Sequence, residues 1–224
     1  MISLLPTNSP TKPGTKTKRP AAHHQINLDN ITANPPSNLQ PQQPNTTPPV
    51  MADSLAAAPQ DLESIKSQTA ALLLPHFTAN DAFTLGCSLR TRIQSLYPNT
   101  PAVINITHSN TDSLLFHCAT GSGIQPDNDI WVARKRRTVK RWGVSSWFMG
   151  RKFNGDEEEF KRKYALGETA GEYAIHGGAV PVRVKGVEGT VAVVIVSGLK
   201  QDEDHMVVVE GLERFIAECE GRKG

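Results

Sequence analysis

Most of the chemistry legible in this sequence lies in its last third. His176 stands directly before Gly177 and Gly178 in YAIHGGAVPVRVK, where its ring could ligate a metal or haem iron, or exchange a proton near neutral pH. Two glycines inside a strand-like pattern permit a bulge or the close approach of a backbone or ligand, or they only turn the chain into an edge strand. Pro181 is consistent with either. Ser197 and Gly198 end a second apolar run, and Asp202, Glu203, Asp204 and His205 follow. A candidate ligand site is therefore placed where these stretches meet, at His176, Gly177, Gly178, Pro181, Ser197, Gly198 and His205. Small residues admit a planar or anionic group, and amides at a helix N-terminus offer donors. The three acids oppose an anion, so a metal, a cationic group or a neutral ligand face fits equally well.

No motif identifies catalytic residues or a preformed metal centre. His76, His108 and His117 lack ligand spacing, neither HExxH nor CxxCH occurs, and Gly121 with Gly123 is too little for a phosphate cradle. A hydrolase using Ser145, Ser146 or Ser197 would lack the nucleophile-elbow sequence. Cys87, Cys118 and Cys219 are odd in number and 31 and 101 residues apart. They fit neither a disulfide framework nor a CxxC site, and read as reduced thiols of an intracellular, cytoplasmic protein.

The elements that must position these residues follow from periodicity. Leu62, Ile65, Leu72 and Leu73 predict a helix over 61–74, stopped by Pro75. Thr78 and Asp81 resemble a capping box before Ala82, Leu85, Leu89, Ile93 and Leu96, predicting a helix over 79–96. Residues 102–107 and 114–119 read as an antiparallel hairpin. In DNDIWVARKRRTVKRW, Trp131, Val132, Val139 and Trp142 fall in one sector about 100° wide, facing the core. Arg134, Arg137, Lys140 and Arg141 project opposite, as a solvated face or as a surface for nucleic acid, anionic lipid or an acidic protein partner. A short helix is expected over 156–163, a half-buried strand over 180–185 and a fully covered strand over 191–196. The last helix carries Val208, Leu212, Phe215, Ile216 and Cys219 on one face, with His205 near the core edge. The order predicts an α+β domain with a largely antiparallel sheet flanked by helices.

Composition divides the chain. Ten of its sixteen prolines lie in residues 1–50, and the first aromatic residue is Phe77. Residues 1–55 read as a disordered Pro/Thr/Asn-rich tail and 56–224 as the folded domain. The first fifty residues hold four cations and one carboxylate, and the remainder twenty and twenty-one. A near-neutral folded part disfavours nucleic acid as a partner. Residues 1–28 are basic and acid-free like a transit peptide, but four prolines interrupt the helix it would need, and Met51 offers an alternative start. No apolar stretch approaches membrane-spanning length.

The stretch IHGGAVPVRVKGVEGTVAVVIVSGLKQDEDHMVVVEGL resembles the closing half of the haem-degrading-domain family, the GlcG and HbpS-like proteins. The shared pattern is a GG-x-P-(V/I) strand, a glycine turn, an apolar strand ending V-S-G, and an acidic start to the last helix. DNDIWVARKRRTVKRWGVSSW further resembles a bacterial and fungal branch of that family, and the resemblance covers most of residues 60–220. The branch often has a His before its Ser-Ser pair, where this chain has Val144 before Ser145 and Ser146. The resemblance implies a roadblock or profilin-like α/β/α sandwich and a homo-oligomer, with haem as cofactor. Its motif maps onto His176, Gly177, Gly178, Pro181, Ser197, Gly198, Asp204 and His205. The function implied is a small-ligand or haem-binding module with slow haem degradation; the alternative is a non-catalytic homo-oligomeric interaction protein.

Overall fold

The capping box forms as the sequence predicts. Thr78 Oγ1 accepts from the Asp81 amide at 3.3 Å while Asp81 Oδ2 accepts from the Thr78 amide at 2.7 Å. From it, helix α2 runs over Ala79–Leu96, preceded by α1 (Leu62–Ala71) and a two-residue strand β1 (Leu73–Leu74). The structure, a computed structural model, describes residues 53–221; the expected tail falls on residues outside that range except for 53–55. Leu55 is already packed against the core, one residue ahead of the expected boundary.

Strands β2 (Val103–His108) and β3 (Leu114–Ala119) form the predicted hairpin. Then come α3 (Pro126–Trp142), α4 (Ser146–Lys152), α5 (Glu157–Lys163) and a 3₁₀ turn (Gly167–Glu172). Strands β4 (Ala179–Val184) and β5 (Ala192–Ser197) and helix α6 (Gln201–Gly221) complete the domain. The sheet order is β1-β4-β5-β2-β3, antiparallel except for β1 beside β4.

Register explains why both faces are covered. Ile104 pairs with Val196 and Ile106 with Val194, and these side chains face Leu85, Leu89, Val208 and Leu212 of α2 and α6. The alternate residues Val103, Val193 and Ile195 face Val132 and Val139 of α3. Period-two strands covered on both sides give the expected α/β/α layering.

Three expectations are corrected. The first helix stops at Ala71, because Leu72 and Leu74 are buried while Leu73 is exposed, a strand's alternation rather than a helix's. Strand β4 is not half-buried: residues 179–182 are all covered. Nor is β4 a free edge, since β1 pairs with Arg183 and Val184, and the Ala179 amide donates to Ser146 Oγ at 3.0 Å. Amides of Val191 and Val196 reach the carbonyls of Val182 and Gly178, so Pro181 turns its missing donor away from that ladder.

Candidate functional site

Helix α3 buries one line of residues against the sheet: Val132, Lys135, Thr138 and Val139. Lys135 is thereby 3% exposed, with its ammonium 3.0 Å from Asp204 Oδ2 and 3.1 Å from the Val196 carbonyl. Asp204 lies in the first turn of α6, and its other oxygen accepts the Leu199 amide at 3.1 Å. Burial pushes the Asp204 carboxyl up to about 6, opposed by the Lys135 ammonium and by amide hydrogen bonds from Leu199 and Gly198. The Lys200 amide is likewise taken, by Glu203 at 3.2 Å. The amides expected to serve a ligand are thus partly spent on α6's own acids.

Gly177 and Gly178 make this junction possible. A Cβ on Gly177 would stand 2.0 Å from the Gln201 carbonyl oxygen. At Gly178, where φ is +116°, it would stand 2.3 Å from the Val196 oxygen and 2.8 Å from Lys135 Nζ. The glycines therefore serve backbone approach and room for the ammonium.

In front of the ion pair opens a cleft of about 380 Å³, lined by His176, Ser197, Gly198, Trp131, Asn128 and Gln201 among others. The His176 ring meets Trp131 edge-on at 4.8 Å. Its Nδ1 is sealed from solvent without a hydrogen bond, 3.5 Å from Glu157 Oε1. Burial holds His176 below the usual imidazole range, helped by the charges of Lys135 and Arg134 and opposed by Glu157. Burial thus favours its neutral form, and the side chain is 43% exposed.

Of the proposed site residues, His176, Ser197 and Gly198 line the cleft, and Gly177 and Gly178 lie close against Gln201, Lys135 and Asp204. Pro181 is paired with Val193 within the sheet and does not line the cleft. His205, expected at the core edge, is fully buried, 3.3 Å from Gln68 Oε1 and stacked on Trp147. Burial alone depresses it to about 4. Folded His205 binds fewer protons than unfolded His205 between about pH 4 and 6.5, so it contributes stability that is lost as pH falls through that window. His205→Phe is expected to remove on the order of 3 kcal/mol of that loss. Urea unfolding from about pH 7 to about pH 4 checks it; equal losses in both proteins would contradict it.

Lys135 carries no mark of burial in the sequence. Within ARKRR it passes for one more surface cation, yet it stands three residues after Val132 and four before Val139, on the buried face. The tryptophans flank that face instead of forming it: Trp131 borders the cleft, and Trp142 packs with Phe160, Tyr164 and Tyr173. Arg134 is not opposite Trp131; its guanidinium lies 4.5 Å over the indole, and Nε donates to the Tyr173 carbonyl. Ser145 caps α4 and Ser146 is tied to Ala179, both fully buried, so neither offers a nucleophile. Among the described residues no three His, Cys, Asp or Glu side chains converge as a metal site.

Comparison with known proteins extends over the same region. A UPF0303 protein of Streptomyces avermitilis is 40% identical over 161 residues, 72% of this chain and 94% of the relative. UPF0303 protein YBR137W of Saccharomyces cerevisiae is 34% identical over 168 residues, 75% of this chain and 91% of its own. The crystal structure of the Ybr137w protein superposes with a TM-score of 0.66 at 36% identity, over 71% of this chain and 89% of that one. The profile described as haem degrading protein HbpS-like matches residues 77–213, which include strands β2–β5, the cleft and most of α6. On that match the chain belongs to the HbpS-like family.

Proposed function

We propose that this chain is a small-ligand-binding module whose site is the cleft between α3 and the start of α6, with haem as its ligand. The observation that carries this reading is His176, an imidazole that burial keeps toward its neutral form and that lines the cleft beside an indole. The donor chemistry fits an iron porphyrin, since neutral imidazole is an axial ligand to haem iron. His176 would hold the iron, Trp131 and Leu199 would supply apolar contact, and Glu157 beside Nδ1 would orient the ring. Bound there, haem would supply redox and oxygen chemistry. The chain's own residues bind and orient; the buried Lys135 and Asp204 cancel each other's charge and keep the cleft wall rigid. Slow haem degradation belongs to this reading through the family alone.

Self-association is the second part of the proposal. Strand β3 is the outer strand beyond β2, its sequence LLFHCA has neither charge nor proline, and Leu114 is 60% exposed. Such an edge suits pairing with a second copy. Light scattering of the full chain is expected to give a mass of two or more chains, and a strict monomer at micromolar concentration would remove this part.

Haemin titration tests the ligand. Wild type is expected to shift the Soret band and saturate at one haemin per chain, whereas His176→Ala loses about tenfold or more in affinity while keeping its melting temperature. Equal affinity in the two proteins would reject His176. No saturable binding would favour the non-catalytic interaction protein.

A further inference from the structure

On the same helix but away from the cleft, α3 lines a groove of about 660 Å³. Four cations border it: Arg136, Arg137, Lys140 and Arg141. Two are compensated, Lys140 by Asp112 at 2.6 Å and Arg137 by Glu172. The other two are held by neutral groups. Arg136 donates to Thr107 Oγ1 at 2.9 Å. Arg141 donates to the Tyr173 hydroxyl at 2.9 Å and lies over the rings of Trp142 and Tyr173. Neither comes within ion-pair distance of a carboxylate among the described residues; the Arg136 charge reaches Asp112, and the four cations outnumber the two bordering carboxylates.

From this arrangement we infer that the groove docks a short acidic peptide segment of a partner protein, with carboxylates for Arg136 and Arg141. A planar guanidinium matches a carboxylate two bonds at a time, and anchoring by neutral partners lowers the entropy cost of each contact. Asp112 and Glu172 border the same groove, and they oppose a continuous phosphate backbone more strongly than a segment with a few carboxylates. The charge balance of the chain beyond residue 50, twenty cations against twenty-one carboxylates, points the same way. Nucleic-acid binding commonly neutralises about six to ten phosphates, and the cations of this groove exceed its carboxylates by two. The inference is independent of the ligand reading, because no residue of the groove lines the cleft.

The test is fluorescence anisotropy of labelled hexaglutamate with the full chain, beside hexaglutamine and a short DNA duplex. Hexaglutamate is expected to bind, to weaken with added salt, and to lose about tenfold or more in affinity with Arg136→Gln/Arg141→Gln. Melting temperature and any haemin affinity of that variant should stay at wild-type values, separating this failure from failure of the cleft. Binding that survives both substitutions would assign the charge to another segment, such as Lys12 to Arg19, and overturn the inference. So would absence of binding at millimolar peptide, equal binding of hexaglutamine, or tighter binding of the duplex.

Discussion

Lys135→Met is expected to cost about 3–5 kcal/mol of stability above pH 7, because it strands a buried carboxylate. The loss should shrink as pH falls. In the wild type Asp204 has a folded value of about 6 against 3.8 for the free side chain. Folded Asp204 therefore holds its proton longer than unfolded Asp204, and ionising it costs stability as pH rises from about 4 to about 6. Without the ammonium that value climbs further, so the window extends upward and the variant recovers on acidification. His205, the next residue, acts with the opposite sign over nearly the same range, so the two offset each other in the wild type. Urea unfolding at about pH 8 and about pH 5 checks this, and equal losses at both would contradict the paired assignment. Adding Asp204→Leu to Lys135→Met should restore part of the stability, since the stranded carboxylate is removed while the Leu199 amide and the Val196 carbonyl lose their partners.

Gly178→Val is expected to be the most damaging substitution in the domain, costing about 4 kcal/mol or more. Backbone at φ +116° strains any side chain, and the new Cβ would meet the Val196 carbonyl oxygen, the Lys135 ammonium and the Asp204 Cβ at under 3 Å. None of the three can retreat cheaply: one is sheet backbone and the other two form the buried pair. Loss of the cooperative thermal transition, or a fall in the urea midpoint larger than that of Lys135→Met, would agree. A variant that unfolds like the wild type would show that the junction is looser than its distances imply.

How much was legible follows from which forces write themselves into sequence. Helix α2 and the β2–β3 hairpin emerge from local periodicity and capping, where neighbours in sequence decide the outcome. Strand β1 did not, because two residues carry no period and their pairing with Arg183 and Val184 is set by the sheet. Helix α4 escaped as well; its Ser145 cap lies in a seven-residue element whose packing on α1 and β4 fixes it. Around the cleft, the positions of His176 with the glycines and of Ser197 with Gly198 were legible because small residues and a histidine interrupt strand patterns. Lys135 was hidden by the cations beside it, and its role depends on Asp204, sixty-nine residues away. Pro181 and His205 share the motif in sequence, yet strand pairing and the helix rotation carry them away from the cleft.

The most direct test of the central claim, that the cleft is the ligand site, is amide hydrogen exchange of the full chain with and without saturating haemin. Slowed exchange is expected in residues 128–135, 176–178 and 197–204, with little change in 136–141 and 172–173. Slowing confined to the latter segments, or no slowing at all while the Soret band shifts, would contradict it.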